Sequence, residues 1–347
     1  MGGASGFYTR SIDTAPTKCA PAGILPTLGA LAKIRLNALV LVTTAVGAVV
    51  AAPTAIPWGL LGWTLLGTGA SAASASMFNQ LLERRRDALM QRTASRPLPQ
   101  RQIGPLRVFA LACALAYAGW AVLVWKAGWI PAALATGNVL VYALLYTPLK
   151  PLTSLNTLVG AVCGAIPPMV GWTAVTGSVE SGAWVVAGIL FVWQLPHFMA
   201  LAWMYREDYG RGGFVMLPAR DPSGGLTAQT MLLTSLTLVP MTLLATLLGL
   251  AGIVFALCAT MLGLWLSWES FRFLRDRSDA MARRVFLVSI VYLPLLLLVM
   301  VLDRGPVSPA AGVRMRGVID GGDGVLPPSR PTDSREPASA TNSTPPR

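Results

Sequence analysis

Nine apolar runs, each long enough to cross a lipid bilayer, constrain this chain more than any other feature. Runs of roughly 17–25 residues are read as spans. They fall near residues 36–53, 58–82, 106–125, 129–146, 154–173, 183–204, 228–249, 251–270 and 284–302. Only helices and closed barrels satisfy every backbone polar group in lipid. Runs of this length therefore predict an all-α fold, a polytopic membrane helical bundle of nine transmembrane helices. Composition agrees, with 54% of residues hydrophobic and 12% charged, against about 25% charged in soluble domains. A chain of two or three soluble domains is excluded.

The formal net charge of +12 raises the question of nucleic acid, and the placement of the charge answers it. With the N-terminus inside, segments 1–35, 83–107, 147–153, 205–227 and 271–284 face the cytoplasm. They hold 20 of the 27 Lys and Arg residues. Lys126 is the only basic residue in the four short outside loops. Such asymmetry marks membrane orientation. The expected partner is the lipid bilayer, with no nucleic acid.

Residues 1–32 and 304–347 lack apolar periodicity and are rich in small and proline residues, so both are expected to be disordered. The domain proper is expected over 33–303. No Arg/Ser-rich leader precedes the first span, which points to a bacterial cytoplasmic (inner) membrane. The four cysteines show no metal-ligand spacing, and three of them lie in apolar runs as packing residues.

The stretch FNQLLERRRDALMQRTASRPLP, residues 78–99, places acids and arginines at the end of the second span. If the helix continues, Asn79, Glu83 and Asp87 follow at i, i+4 and i+8 on one face. Two carboxylates and an amide form a hard oxygen surface suited to Mg²⁺, whose shell is completed by water and phosphate oxygens. Arg92 and Arg96 lie just beyond, with guanidinium groups matched to phosphate oxygens. The competing reading is an interfacial loop whose charges only fix topology. Glu207 and Asp208 form a second acidic cluster after the sixth span, at the same face. His197, the only histidine, lies 11 residues before Asp208, about 16 Å along a helix, and so within the membrane. It is either a hydrogen-bonded packing residue or a group that meets porphyrin or moves a proton.

Four blocks resemble the protohaem IX farnesyltransferases (haem O synthases), within the intramembrane aromatic prenyltransferases. NQLLERRRDALMQRTASRPLP is similar to the family's first acidic motif. YTPLKPLTSLNTLVGAVCGAIPPMVGWTAVTG is similar to its loop and fifth helix. WQLPHFMALAWMYREDYGRGGFVMLP is similar to its sixth helix and second motif, and ARRVFLVSIVYLPLLLLVMVLD to its last span. The resemblance implies transfer of farnesyl from farnesyl diphosphate to the 2-vinyl group of haem B, giving haem O, with Mg²⁺ between the two acidic motifs. It implies catalytic and metal roles for Asn79, Glu83, Asp87 and Asp208. It also implies diphosphate contacts from Arg92, Arg96, Lys33 and Lys150, and a haem contact from His197. Haem A synthase or terminal oxidase assembly proteins are the implied partners. One departure stands out: the family's D-x-D-x-D reads Glu83, Arg85, Asp87 here. The alternatives are a related prenyltransferase acting on a quinone precursor or pigment, and a non-enzymatic transporter or scaffold.

Overall fold

A computed structural model describes residues 23–52 and 55–305. Among them nine long helices stand where nine spans are expected. They are α1 (Ile34–Ala51), α2 (Trp58–Asp87), α3 (Pro105–Lys126), α4 (Trp129–Leu140), α5 (Asn156–Thr176), α6 (Ser181–Met204), α7 (Gly225–Leu247), α8 (Ile253–Arg275) and α9 (Asp279–Leu302). Eight segments are long and apolar enough to span, α4 counting together with its continuation to Leu149. The exception is α2, whose inner face is Thr64, Thr68, Ser71, Ser74 and Ser76 before it reaches the charged motif. That face looks into protein rather than lipid, so low apolarity costs it little. The chain is an integral, multi-pass membrane protein.

Burial separates inner from outer helices. In α5 and α6, 67% of the best spanning window is buried, against 22% in α3. The largest core cluster joins α6 to α7, α8 and α9 through Trp193, Met231, Leu266 and Tyr292. Leu66, Leu144, Leu233 and Leu257 point outward, as lipid contacts should. Trp58, Trp125, Trp129 and Trp184, all exposed, sit at helix ends remote from the acidic motif, and form an interfacial aromatic belt.

Close helix contact depends on two glycines. A Cβ on Gly47 would overlap the Pro168 carbonyl, and one on Gly171 would overlap the Thr44 carbonyl. α1 and α5 therefore cross backbone to backbone, as small residues allow in membranes.

The fourth span departs from regular geometry. After Leu140 it widens into a π segment, Val141–Tyr146, and closes with the turn Thr147–Leu149. Pro148 has no N–H and crowds the carbonyl one turn back, and widened turns relieve that clash. The Thr147 hydroxyl donates to the Tyr142 carbonyl at 2.8 Å.

Residues 24–31, expected within a disordered segment, form a short helix, Ile24–Leu31. Leu31 is fully buried beside Met77 and Val108. Gln80 Nε2 donates to the terminal carbonyls of Ala30 and Leu31 at 3.2 and 2.8 Å. That long-range cap orders a segment too short to hold a helix alone. The remainder of the expected disordered tails, 1–22 and 306–347, lies outside the described residues. Of the cysteines read as packing residues, Cys163 is buried, Cys258 is half-buried and Cys113 is exposed on the bundle surface.

Candidate active site

The helix that begins at Trp58 does not end with its apolar run. It continues to Asp87 and carries Asn79, Glu83 and Asp87 on one face, with exposures of 1%, 5% and 0%. Each of these three buried groups meets a cation from another segment. Lys33 Nζ donates to Asn79 Oδ1 at 2.8 Å, Lys150 Nζ to Glu83 Oε1 at 2.7 Å, and Arg96 to Asp87 Oδ2 at 2.7 Å. Asn79 Nδ2 also donates to Thr147 Oγ1 at 3.1 Å, which ties the turn closing the fourth span to α2.

Local backbone geometry aims these cations. Lys33 sits at the break between the short helix and α1 in a left-handed conformation, φ 48°, costly for a side-chain-bearing residue. Burial, helped by the nearby Arg96 and Lys150 cations, pushes its pKa down to about 7. For Lys150 burial acts in the same direction, but the Glu83 carboxylate outweighs it and the net shift is upward. The Lys150 carbonyl accepts from Val215 N–H at 2.7 Å, joining its turn to the loop after α6.

A cavity of about 340 Å³ opens beside this ladder. Seven of the nine expected residues line it: Lys33, Asn79, Glu83, Asp87, Arg92, Arg96 and Lys150. The remaining walls are largely aromatic and apolar, with Tyr142, Tyr146 and Phe198, with Phe214 of the loop after α6, and with Cys163 of α5. Asn37, Ser76, Asn138 and Gln194 add uncharged polar groups to the wall. Gly164 leaves the room that Gln194 fills. Sequence reasoning assigned no site role to Tyr142, Tyr146, Asn138 or Gln194. Asn138 and Gln194 carried a usable signal, as uncharged polar side chains in spans otherwise apolar. The tyrosines did not, since they resemble ordinary interfacial aromatics.

Two expected residues lie elsewhere. Asp208 belongs to the short helix Arg206–Arg211 and does not line the cavity. Its Oδ1 accepts from Gln91 N–H at 2.8 Å and from Arg211 at 2.8 Å, and its Oδ2 from Arg92 N–H at 3.2 Å. Burial raises its pKa, but those hydrogen bonds prevail and the carboxyl is held below its ordinary value. His197 faces α9, where its ring stacks between Trp193 and Phe286 at 5.1 and 4.9 Å. Its Nδ1 is 2.8 Å from Ser289 Oγ. Arg85 is exposed and is absent from the cavity wall.

The UbiA prenyltransferase family profile matches residues 40–291. The chain belongs to the UbiA prenyltransferase family. This UbiA-family chain is 39% identical over 273 residues to the protoheme IX farnesyltransferase of Salinibacter ruber, covering 79% of this chain and 96% of that one. It is 40% identical over 302 residues to the mitochondrial protoheme IX farnesyltransferase of Homo sapiens, covering 87% of this chain. It spans 65% of that human relative, just under two thirds of its length. A UbiA homologue from Archaeoglobus fulgidus, solved bound to DMAPP and Mg²⁺, superposes with a TM-score of 0.61 at 14% identity, covering 79% of this chain and 99% of that one. The likeness to that structure concerns the fold.

Proposed function

We propose that this protein transfers the farnesyl group of farnesyl diphosphate to the 2-vinyl group of haem B, with addition of water, releasing haem O and diphosphate. The observation that carries the reading is the cavity: buried oxygen donors and four cations at one end, aromatic and apolar walls at the other. The names of its relatives support the haem acceptor.

Arg92, Arg96, Lys33 and Lys150 bind the diphosphate and hold it at the cavity mouth. Tyr142, Tyr146 and Phe198 line the path of the farnesyl chain. Their π faces favour the allylic cation that develops as the carbon–oxygen bond breaks, and their bulk excludes water until the vinyl group has attacked. His197, which packs against α9 outside the cavity wall, is the proposed haem contact, with its Nδ1 engaged by Ser289.

Mg²⁺ fits the α2 ladder. Asp87 Oδ1 is buried with no hydrogen-bond partner among the described residues, an expensive state unless a cation or water meets it. No cluster of three His, Cys, Asp or Glu side chains occurs among the described residues. Glu83 and Asp87 with the Asn79 amide form the sparse oxygen set from which magnesium keeps water and phosphate ligands. When bound, the metal would neutralise charge on the leaving diphosphate.

The proposed setting is a bacterial cytoplasmic membrane, and the clustering of basic residues supports an N-terminus on the inner side. Haem A synthase and terminal oxidase assembly proteins are the proposed partners. Reconstituted protein given haem B, farnesyl diphosphate and Mg²⁺ should yield a haem whose mass has grown by one farnesyl group and one hydroxyl group. A prenylated product made only from a quinone precursor or a pigment would replace this acceptor assignment. Arg85→Asp, restoring the family's middle acid, should leave activity and half-saturating Mg²⁺ within about twofold, as for an exposed side chain clear of the site. A tenfold change in either would place position 85 in the metal environment.

A further inference from the structure

The two polar loops are joined by an uneven set of contacts. Asp208 holds consecutive amides, those of Gln91 and Arg92. They open the run of turns from Met90 onward, in which Ala94 N–H donates to the Met90 carbonyl and Arg96 N–H to the Thr93 carbonyl. A carboxylate on the first free amides of a turn acts as a cap does on a helix N-terminus. From the other side, Arg86 donates to the carbonyls of Gly212 and Gly213 at 3.0 and 3.2 Å. The Arg92 guanidinium lies 5.5 and 5.6 Å from the ring centres of Tyr205 and Tyr209. Met90, Phe214 and Met216 pack beneath the join.

We propose that Asp208 is a positioning residue that fastens the loop after α2 and so sets Arg92 and Arg96 over the cavity, and that it is not a metal ligand. Both oxygens are engaged, and the carboxylate faces a separate polar groove with Arg206, Glu207, Arg211 and Asp279. Turning it to a metal on the α2 ladder would strand two amides and Arg211. Asp87 differs in each respect, since it lines the cavity and has one oxygen without a partner. The two acidic clusters thus have different work, one holding charge in the cavity and the other holding the loop that carries the arginines.

The proposal deepens the reading above, because the arginines it positions are those assigned to diphosphate. Its test uses the full chain in detergent micelles, with Mn²⁺ binding followed by electron paramagnetic resonance and limited trypsin digestion after Arg86 and Arg92. Asp208→Asn and Asp208→Ala should leave Mn²⁺ affinity within about twofold. Asp208→Ala should speed loop cleavage about tenfold or more, as expected on losing hydrogen bonds to a charged acceptor, and raise the KM for farnesyl diphosphate more than it lowers kcat. Asp208→Asn, which keeps one acceptor oxygen, should fall between. Mn²⁺ affinity falling about tenfold in Asp208→Asn, or unchanged cleavage in Asp208→Ala, would overturn the proposal. Asp87→Asn serves as the reference. If it too leaves Mn²⁺ binding unaltered, the metal assignment to the α2 ladder fails, while the cleavage rates still decide the role of Asp208.

Discussion

Asp87→Ala is expected to reduce haem prenylation by at least about 100-fold, the scale on which removing one preorganised charge from a reacting site acts. The residue is fully buried, and its carboxylate both neutralises Arg96 at 2.7 Å and offers an oxygen without a partner. Truncation removes the cation-holding oxygen and frees the Arg96 guanidinium to wander from the diphosphate. Asp87→Glu keeps the charge on a longer arm and should recover part of the rate. The measurement is product formation in membranes matched for protein level. Activity within tenfold of wild type in Asp87→Ala would remove this carboxylate from the machinery.

Gly171→Ala should cost about 2–3 kcal/mol of stability, the upper part of the range for overpacking. The added methyl would overlap the Thr44 carbonyl oxygen and come within 2.8 Å of its carbon. Side chains can rotate away from a clash, but backbone cannot. α1 must therefore retreat from α5, and both helices line the cavity through Val40 and Pro167. Gly137→Ala is the control, since a Cβ there meets nothing within 4 Å. Thermal denaturation in one detergent should separate the two variants clearly. Equal melting temperatures would mean that the α1–α5 crossing has slack that the static contacts do not show.

The nine spans were legible because lipid imposes length and apolarity on any helix that crosses it. The run of α2 onward to Asp87 was legible too, from the i, i+4, i+8 spacing of its polar groups. What stayed hidden depends on contacts distant in sequence. The helix Ile24–Leu31 exists because Gln80, about fifty residues away, caps it. Tyr142 and Tyr146 reach the cavity through a π segment that no simple periodicity announces. Asp208 and Asp87 look alike as acids beside arginines. Only the folded loops reveal that one carboxylate faces backbone amides and the other faces a cavity.

The pairing of Lys150 with Glu83 and of Arg96 with Asp87 has a thermodynamic consequence. An anion that recruits these two cations leaves two buried carboxylates without their counter-charges, and so increases the affinity of the same spot for a metal. A metal that satisfies the carboxylates releases the cations for the anion. Such linkage is reciprocal, each ligand tightening the other by the same factor. On the proposed reading, the affinity of this site for a prenyl diphosphate is therefore a function of the free metal concentration, and has no single value apart from it.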